Sequence, residues 1–208
     1  FRATICFVSR IIHQIVASTA FDSIRTGESV KNVVLLVPDQ FIIEKMKIRA
    51  PYQYEAMFQN TGCFIYFKGD RPTILTSEIN TTLKSNEAIL LKCGTHFIDI
   101  LKKTDNEEVE VIAVHLFPEI LKKLYVGKLP AIIEQQTKNQ SSGVIASSEN
   151  ITRFIDSLEF YFQNPTLVND DLLELKIKEL ILLLVQSKNV NSIVELISDL
   201  YSTKTVQL

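Results

Sequence analysis

The chain is short of the patterns that usually announce chemistry. It has three cysteines, Cys6, Cys63 and Cys93, in 208 residues. They are odd in number and form no CxxC, which excludes a disulfide framework and fits reduced thiols, each serving as a small buried hydrophobe. It has three histidines, His13, His96 and His115, and no HxH pair. A barrel metalloenzyme needs two histidines one residue apart on a strand, a carboxylate soon after, and a third histidine across from them. No GxSxG occurs, and Cys93-Gly94-Thr95-His96 brings a thiol near an imidazole only in sequence. Gly62, Gly69 and Gly94 stand alone at turns, so no glycine loop cradles phosphate. No catalytic residue, metal site or cofactor is expected.

Charge of one sign is lacking too. Lys and Arg number 22 against 24 Asp and Glu, for a net charge of -2, and no basic run is present. Binding to a phosphate backbone needs clustered Lys and Arg, so direct contact with nucleic acid is not expected. The most apolar segment, residues 170–186, carries Glu174, Lys176, Lys178 and Glu179 and is too charged to span a bilayer. Residues 1–20 lack the charged start and unbroken apolar run of a signal peptide. The expected setting is the cytoplasm, without a membrane partner.

What the chain does have is hydrophobic residues, 46% against 22% charged, enough for a soluble globular fold with a real core. Apolar residues at 5, 8, 12, 15 and 16 predict an N-terminal helix within 1–30, of uncertain role, followed by a turn over 21–32. From Val33 to His115 short runs rich in Val, Ile, Phe and Tyr alternate with turn signals, among them VVLLV, FIIEKMKI, YEAMF, CFIYF, AILL, HFIDIL and VEVIAVHLF. Eight or nine short strands at intervals of about ten residues, with no helical pattern between them, predict antiparallel sheets closed as a barrel or sandwich. The expected β body covers 31–117.

Helical periods govern the remainder, 118–208. A short helix covers 119–126, and polar residues 136–147 read as a loop. Ser148 offers a cap to a helix whose Ile151, Phe154, Ile155, Leu158 and Phe162 share a face, ended by Asn164-Pro165. Asn169 starts the next helix, in which Glu174 and Lys178 are spaced for an i,i+4 pair, and a last helix covers about 191–201. The fold class is therefore α+β: an antiparallel barrel or sandwich followed by an antiparallel helical subdomain.

Two candidate functional surfaces follow. A helix docked on one core needs an apolar arc of roughly 100°, and DDLLELKIKELILLLVQ over 170–186 has far more. Leu173, Ile177, Leu180, Ile181 and Leu184 are the candidate face for a homodimer, with Leu172, Leu175, Leu182 and Leu183 as a second face for packing; intramolecular core is the alternative reading of the same five residues. In CFIYF both faces are apolar, which marks a strand covered on both sides. Phe64, Tyr66, Ile98, Ile100 and Val111 are the candidate ligand pocket, in a barrel that either packs shut or holds one small molecule. Asp99 is either an inward polar group for a ligand or an outward carboxylate.

The run GCFIYFKGDRPTILTSEINTTLKSNEAILLKCGTHFIDIL resembles the cupin segment in the N-terminal regulatory domain of AraC/XylS-family transcription regulators, in the ExsA-like branch. The resemblance rests on Leu83, Asn86, Glu87, Ile89, Leu90, Leu91 and Gly94 in a hairpin. It extends to Leu175, Lys176, Ile177, Glu179, Leu180 and Leu183, which resemble that branch's dimerisation helix. It implies a cupin-like β body, a helical dimerisation subdomain and no enzymatic activity. It also implies a small-molecule effector in the barrel or a protein anti-activator on the surface. In that family such a domain precedes a DNA-binding domain with two helix-turn-helix motifs, and Leu208 falls where the linker to it would begin. The resemblance thus identifies the sensing and dimerisation part of a transcription activator. A small-molecule-binding or metal-dependent cupin protein, and a carrier or scaffold, are the rival readings.

Overall fold

The computed structural model describes residues 30–36, 42–49, 52–58, 61–68, 73–76, 80–92, 94–100, 108–126, 143–146, 148–187 and 190–202. The helix expected within residues 5–18 lies outside them. Ten strands occur among the described residues: β1 (Val30–Leu36), β2 (Ile42–Arg49), β3 (Tyr52–Phe58), β4 (Gly62–Lys68), β5 (Thr73–Thr76), β6 (Asn80–Thr82), β7 (Ala88–Leu91), β8 (Gly94–Ile100), β9 (Glu108–Leu116) and β10 (Gly143–Ile145). They form two antiparallel sheets, a large one in the order β1-β2-β9-β4-β7-β10 and a small one in the order β3-β8-β5-β6.

Side-chain alternation builds the layers. On β4, Cys63, Ile65 and Phe67 join Ile74, Ile98 and Ile100 of the small sheet in one core, between the sheets. Phe64 and Tyr66 point the other way, into a second core shared with the helices. The central strands of the large sheet are thus dry on both faces, as CFIYF predicts. This is an α+β, cupin-like sandwich with a helical layer on the outer face of its large sheet.

Four helices supply that layer among the described residues: α1 (Pro118–Leu124), α2 (Glu149–Gln163), α3 (Asp170–Val185) and α4 (Val190–Ser202). The Ser148 hydroxyl accepts from the Ile151 amide and caps α2, whose buried residues are the five that the periodicity predicts. Asn164 ends the helix and a single 3-10 turn at Pro165–Leu167 reverses the chain. Asn169 Oδ1 then accepts from the Leu172 amide at 2.9 Å and caps α3, with Asp170 and Asp171 placed favourably against the helix dipole.

A small set of charges seats α2 on the sheet. Lys45 on β2 reaches Glu159 of α2 and lies 3.3 Å from Glu110 on β9. Lys68 at the end of β4 lies 3.7 Å from Glu110 and 4.0 Å from Asp156 of α2. Burial draws the Lys45 ammonium down, but the bond to Glu159 and the charge of Glu110 outweigh it and raise its pKa. The bond from Lys45 holds the Glu159 carboxyl below its ordinary value. At the other end, α4 lies so close to Gly62 that a Cβ there would stand 2.7 Å from Leu196 Cδ1.

Three local expectations change. Residues 136–147 are not wholly loop, because Gly143–Ile145 adds β10 to the edge of the large sheet by pairing with β7; Val144 and Ile145 are good strand formers and Ile145 is buried. β1 begins at Val30, inside the segment expected to turn. The Glu174 carboxylate, spaced for a pair with Lys178, lies 3.3 Å from Lys123 and so ties α3 to α1.

Two outcomes follow. Gly62→Ala should cost roughly 1–3 kcal/mol in urea denaturation through overpacking, and its cost should shrink in a Leu196→Ala background. Glu159 has a folded pKa below its unfolded one, so its contribution is present above the ordinary glutamate range and lost as pH falls through the folded value. The stability gap between the native chain and Glu159→Gln should hold from neutral pH to about 5 and close below about pH 4.

Candidate functional site

The inter-sheet core carries its polar groups at one end. On β9, Val109, Val111 and Ala113 face inward, and the same alternation brings in His115, two residues on. On β2 it brings in Glu44, whose Oε1 lies 3.6 Å from His115 Nε2, both side chains being almost wholly buried. Cys63 is in register with His115 across the β4–β9 pair, and the ring of Phe117 stacks on the imidazole at a centroid distance of 6.2 Å. From the small sheet His96 faces the same space, on the inward side with Ile98 and Ile100, and its Nε2 lies 2.8 Å from the Lys92 carbonyl. The interior is apolar, with a carboxylate, an imidazole and a thiol on the large sheet and a second imidazole on the small one.

Burial pushes the Cys63 thiol well above its usual range, and the charge of Glu44 pushes it further, so the thiolate needed of a nucleophile is suppressed. Among the described residues no group of three His, Cys, Asp or Glu is arranged to hold a metal ion. His96 and His115 lie in different sheets. Asp99 shares the outward parity of Phe97, which is exposed, so the outward reading of that carboxylate holds.

The five candidate pocket residues divide between the two cores. Ile98, Ile100 and Val111 line the inter-sheet space, whereas Phe64 and Tyr66 pack under the helices, with Tyr66 bonded to Thr152 on α2. The inward residues of β4 are Cys63, Ile65 and Phe67. Two equally apolar faces gave no reason to choose between them; Lys45 and Lys68, which reach carboxylates on α2 and hold Glu110 between them, decide it. Glu44 was the residue missed. Its signal was a lone carboxylate in FIIEKMKI at inward parity with Met46 and Ile48.

The second surface is α3, and here the assigned face turns over. Leu173, Ile177, Leu180, Ile181 and Leu184 are all buried within the single chain, in the core with α1, α2 and α4. Their alternative role as intramolecular core is the one the coordinates give. The apolar residues left outside are Leu175, 63% exposed, and Leu182, 46% exposed, with Leu172 and Leu183 half-buried beside them.

A two-sheet body with a capped helical layer over its large sheet and an apolar interior is an α+β, cupin-like domain. The profile of the ExsA N-terminal regulatory domain matches residues 62–196, and the chain belongs to that family. No curated protein matches by sequence. Among solved structures, wild-type ToxT from Vibrio cholerae strain SCE256 with an unsaturated fatty acid bound superposes with a TM-score of 0.53 at 12% identity, over 73% of this chain and 56% of that one. An apo ToxT variant from the same strain gives 0.51 at 13% identity, over 75% and 59%. ToxT from Vibrio cholerae O395 bound to (E)-4-(8-methylnaphthalen-1-yl)but-3-enoic acid gives 0.51 at 12%, over 79% and 59%. At these identities the likeness is one of fold. The chain spans less than two thirds of the ToxT chains it matches. Among the described residues no helix is long and apolar enough to cross a membrane.

The buried thiol gives a direct check. In a Cys6→Ser, Cys93→Ser background, Cys63 should resist iodoacetamide at pH 8 while the chain is folded and react fully in urea, as read by intact mass.

Proposed function

We propose that this chain is the sensing and dimerisation part of a cytoplasmic AraC-type transcription activator, without catalytic activity. The β body senses and the helical part, residues 118–208, pairs two chains. The observation that carries the reading is α3, an amphipathic helix whose inward face is satisfied by its own core while Leu175 and Leu182 remain in water. Single exposed leucines are ordinary, but two on one helical row, seven residues apart, form a stripe suited to another helix. Pairing through that row would fix the spacing of two attached DNA-binding domains, so a ligand that shifts the pairing shifts promoter occupancy.

The effector is a small molecule in the inter-sheet space, its apolar part against Ile65 and Ile98 and its polar part toward Glu44 and His115; a protein anti-activator on the surface is the other input the family admits. ToxT, in two of the structures named above, carries acids with apolar bodies, which supports a ligand of mixed character here. The buried Glu44–His115 pair also favours the rival, a small-molecule-binding or metal-dependent cupin protein. Stoichiometric iron, zinc or manganese in purified protein would decide for it.

Sedimentation tests the pairing. Leu175→Asp with Leu182→Asp should leave the melting temperature within a few degrees and convert dimer to monomer, because both sites are exposed. Leu180→Asp should unfold the chain instead, since it buries a charge in the core at a cost of several kcal/mol. An unchanged dimer in the first variant would overturn the proposed face.

A further inference from the structure

Helices α2 and α4 are seated at opposite ends of β4. At the last residue of that strand, Lys68 lies 4.0 Å from Asp156 of α2. At its first residue, Gly62 meets α4 so closely that a Cβ there would overlap Leu196. Two further contacts hold α4 at that end. Cys63 is level with Leu91 of β7 and with His115 of β9, so Lys92 falls beside Gly62 one step on. The Lys92 ammonium lies 2.9 Å from Glu195 and 3.2 Å from Asp199, which stand one turn apart on α4. β9 reaches α4 through α1. Phe117, at the α1 N-cap, stacks on His115, and Tyr201 donates to the carbonyl of Tyr125, the α1 C-cap, at 3.1 Å. Just inside these contacts the same three strands present Cys63, Leu91 and His115 to the inter-sheet space, with Glu44 3.6 Å from the imidazole.

We infer that α4 is the output element of this domain: a change in the spacing of β4, β7 and β9 at the Cys63–His115 row moves α4, and with it the chain beyond residue 202. This rests on the sensing role proposed above for the β body, and it names the route by which the sensed state leaves that body. A molecule lodged against Glu44 and His115 presses on that row from the inside. The contacts one step outward are already at bonding distance, so they have no slack to absorb a shift. Packed interiors answer such a push by moving between discrete arrangements rather than by stretching. The two arrangements here are a clasp closed by Lys92 between Glu195 and Asp199, and a clasp opened with α4 re-tilted on Gly62. The small sheet shares the joint, because His96 Nε2 lies 2.8 Å from the Lys92 carbonyl. α2 does not share it, being anchored on Lys45 and Lys68. Coupling between two places is reciprocal, so opening the clasp from the α4 side loosens the Cys63 row.

The test uses no effector, so it separates the joint from the sensing role: a domain that binds no small molecule would sink the second and leave the first. In the 208-residue chain with Cys6→Ser and Cys93→Ser, Lys92→Met keeps the apolar stem and removes the charge. It should speed alkylation of Cys63 by iodoacetamide under native conditions several-fold, whereas Lys92→Arg, which keeps both ion pairs, should match the parent. Val109→Ala is the control. It loosens the same core at the far end of β9 and costs at least as much stability, yet should leave the Cys63 rate within about twofold of the parent. From the other side, Cys63→Leu wedges extra volume into the row. Hydrogen exchange of residues 193–201 should then rise several-fold while residues 151–163 of α2 exchange as before. An unchanged Cys63 rate in Lys92→Met, or an equal rise in Val109→Ala, would overturn the joint. So would a wedge that loosens α2 as much as α4.

Discussion

The structure depends on a sheet that is dry on both sides. β4 and β9 hold apolar residues at every inward and outward position of their centres, so hydrophobicity alone leaves the facing of those strands undecided. Slipping a strand by one residue exchanges its faces, and here both faces would still be oily. The choice falls to the few polar side chains. Lys45, Lys68 and Glu110 belong where α2 offers Glu159 and Asp156, and Glu44 belongs where His115 lies. Exposed ion pairs such as Lys68 with Asp156 contribute little to stability, but Lys45 with Glu110 and Glu44 with His115 are largely buried, and their larger effect is to exclude the flipped register. The charges specify and the hydrocarbon stabilises.

The helical layer follows from that decision. With Phe64 and Tyr66 committed outward, the sheet presents a face that only a set of helices can cover, and α1, α2, α3 and α4 share it. α3 gives its wider apolar arc to this task. What remains on its far side is narrow, with two leucines among charges, and its use follows from its composition: too small for a core, sufficient for a selective seam.

Much of this was legible in the chain. Strand segments and turn signals located nine strands, and the caps Ser148 and Asn169 located two helices nearly to the residue, because those signals are local. The strand Gly143–Ile145 was hidden in a polar stretch, since three residues carry no period and its pairing with β7 is a long-range event. The inward face of CFIYF was hidden because both faces are equally apolar. The face of α3 was misassigned for the same reason: leucine at 172, 173, 175, 180, 182, 183 and 184 offers two stripes of similar strength, and the distinction comes from what α1 and α4 press against. Glu44 was overlooked because a glutamate beside lysines reads as a solvated strand edge.

Lys92 sits where the chain leaves the large sheet for the small one. Its carbonyl meets His96, and its ammonium lies 2.9 Å from Glu195 and 3.2 Å from Asp199 on α4. The terminal helix is therefore stapled to the crossing between the sheets. A passenger fused after residue 202 would take its heading from that crossing, and grafting a relative's α2–α3 hairpin would exchange the seam without re-aiming the passenger.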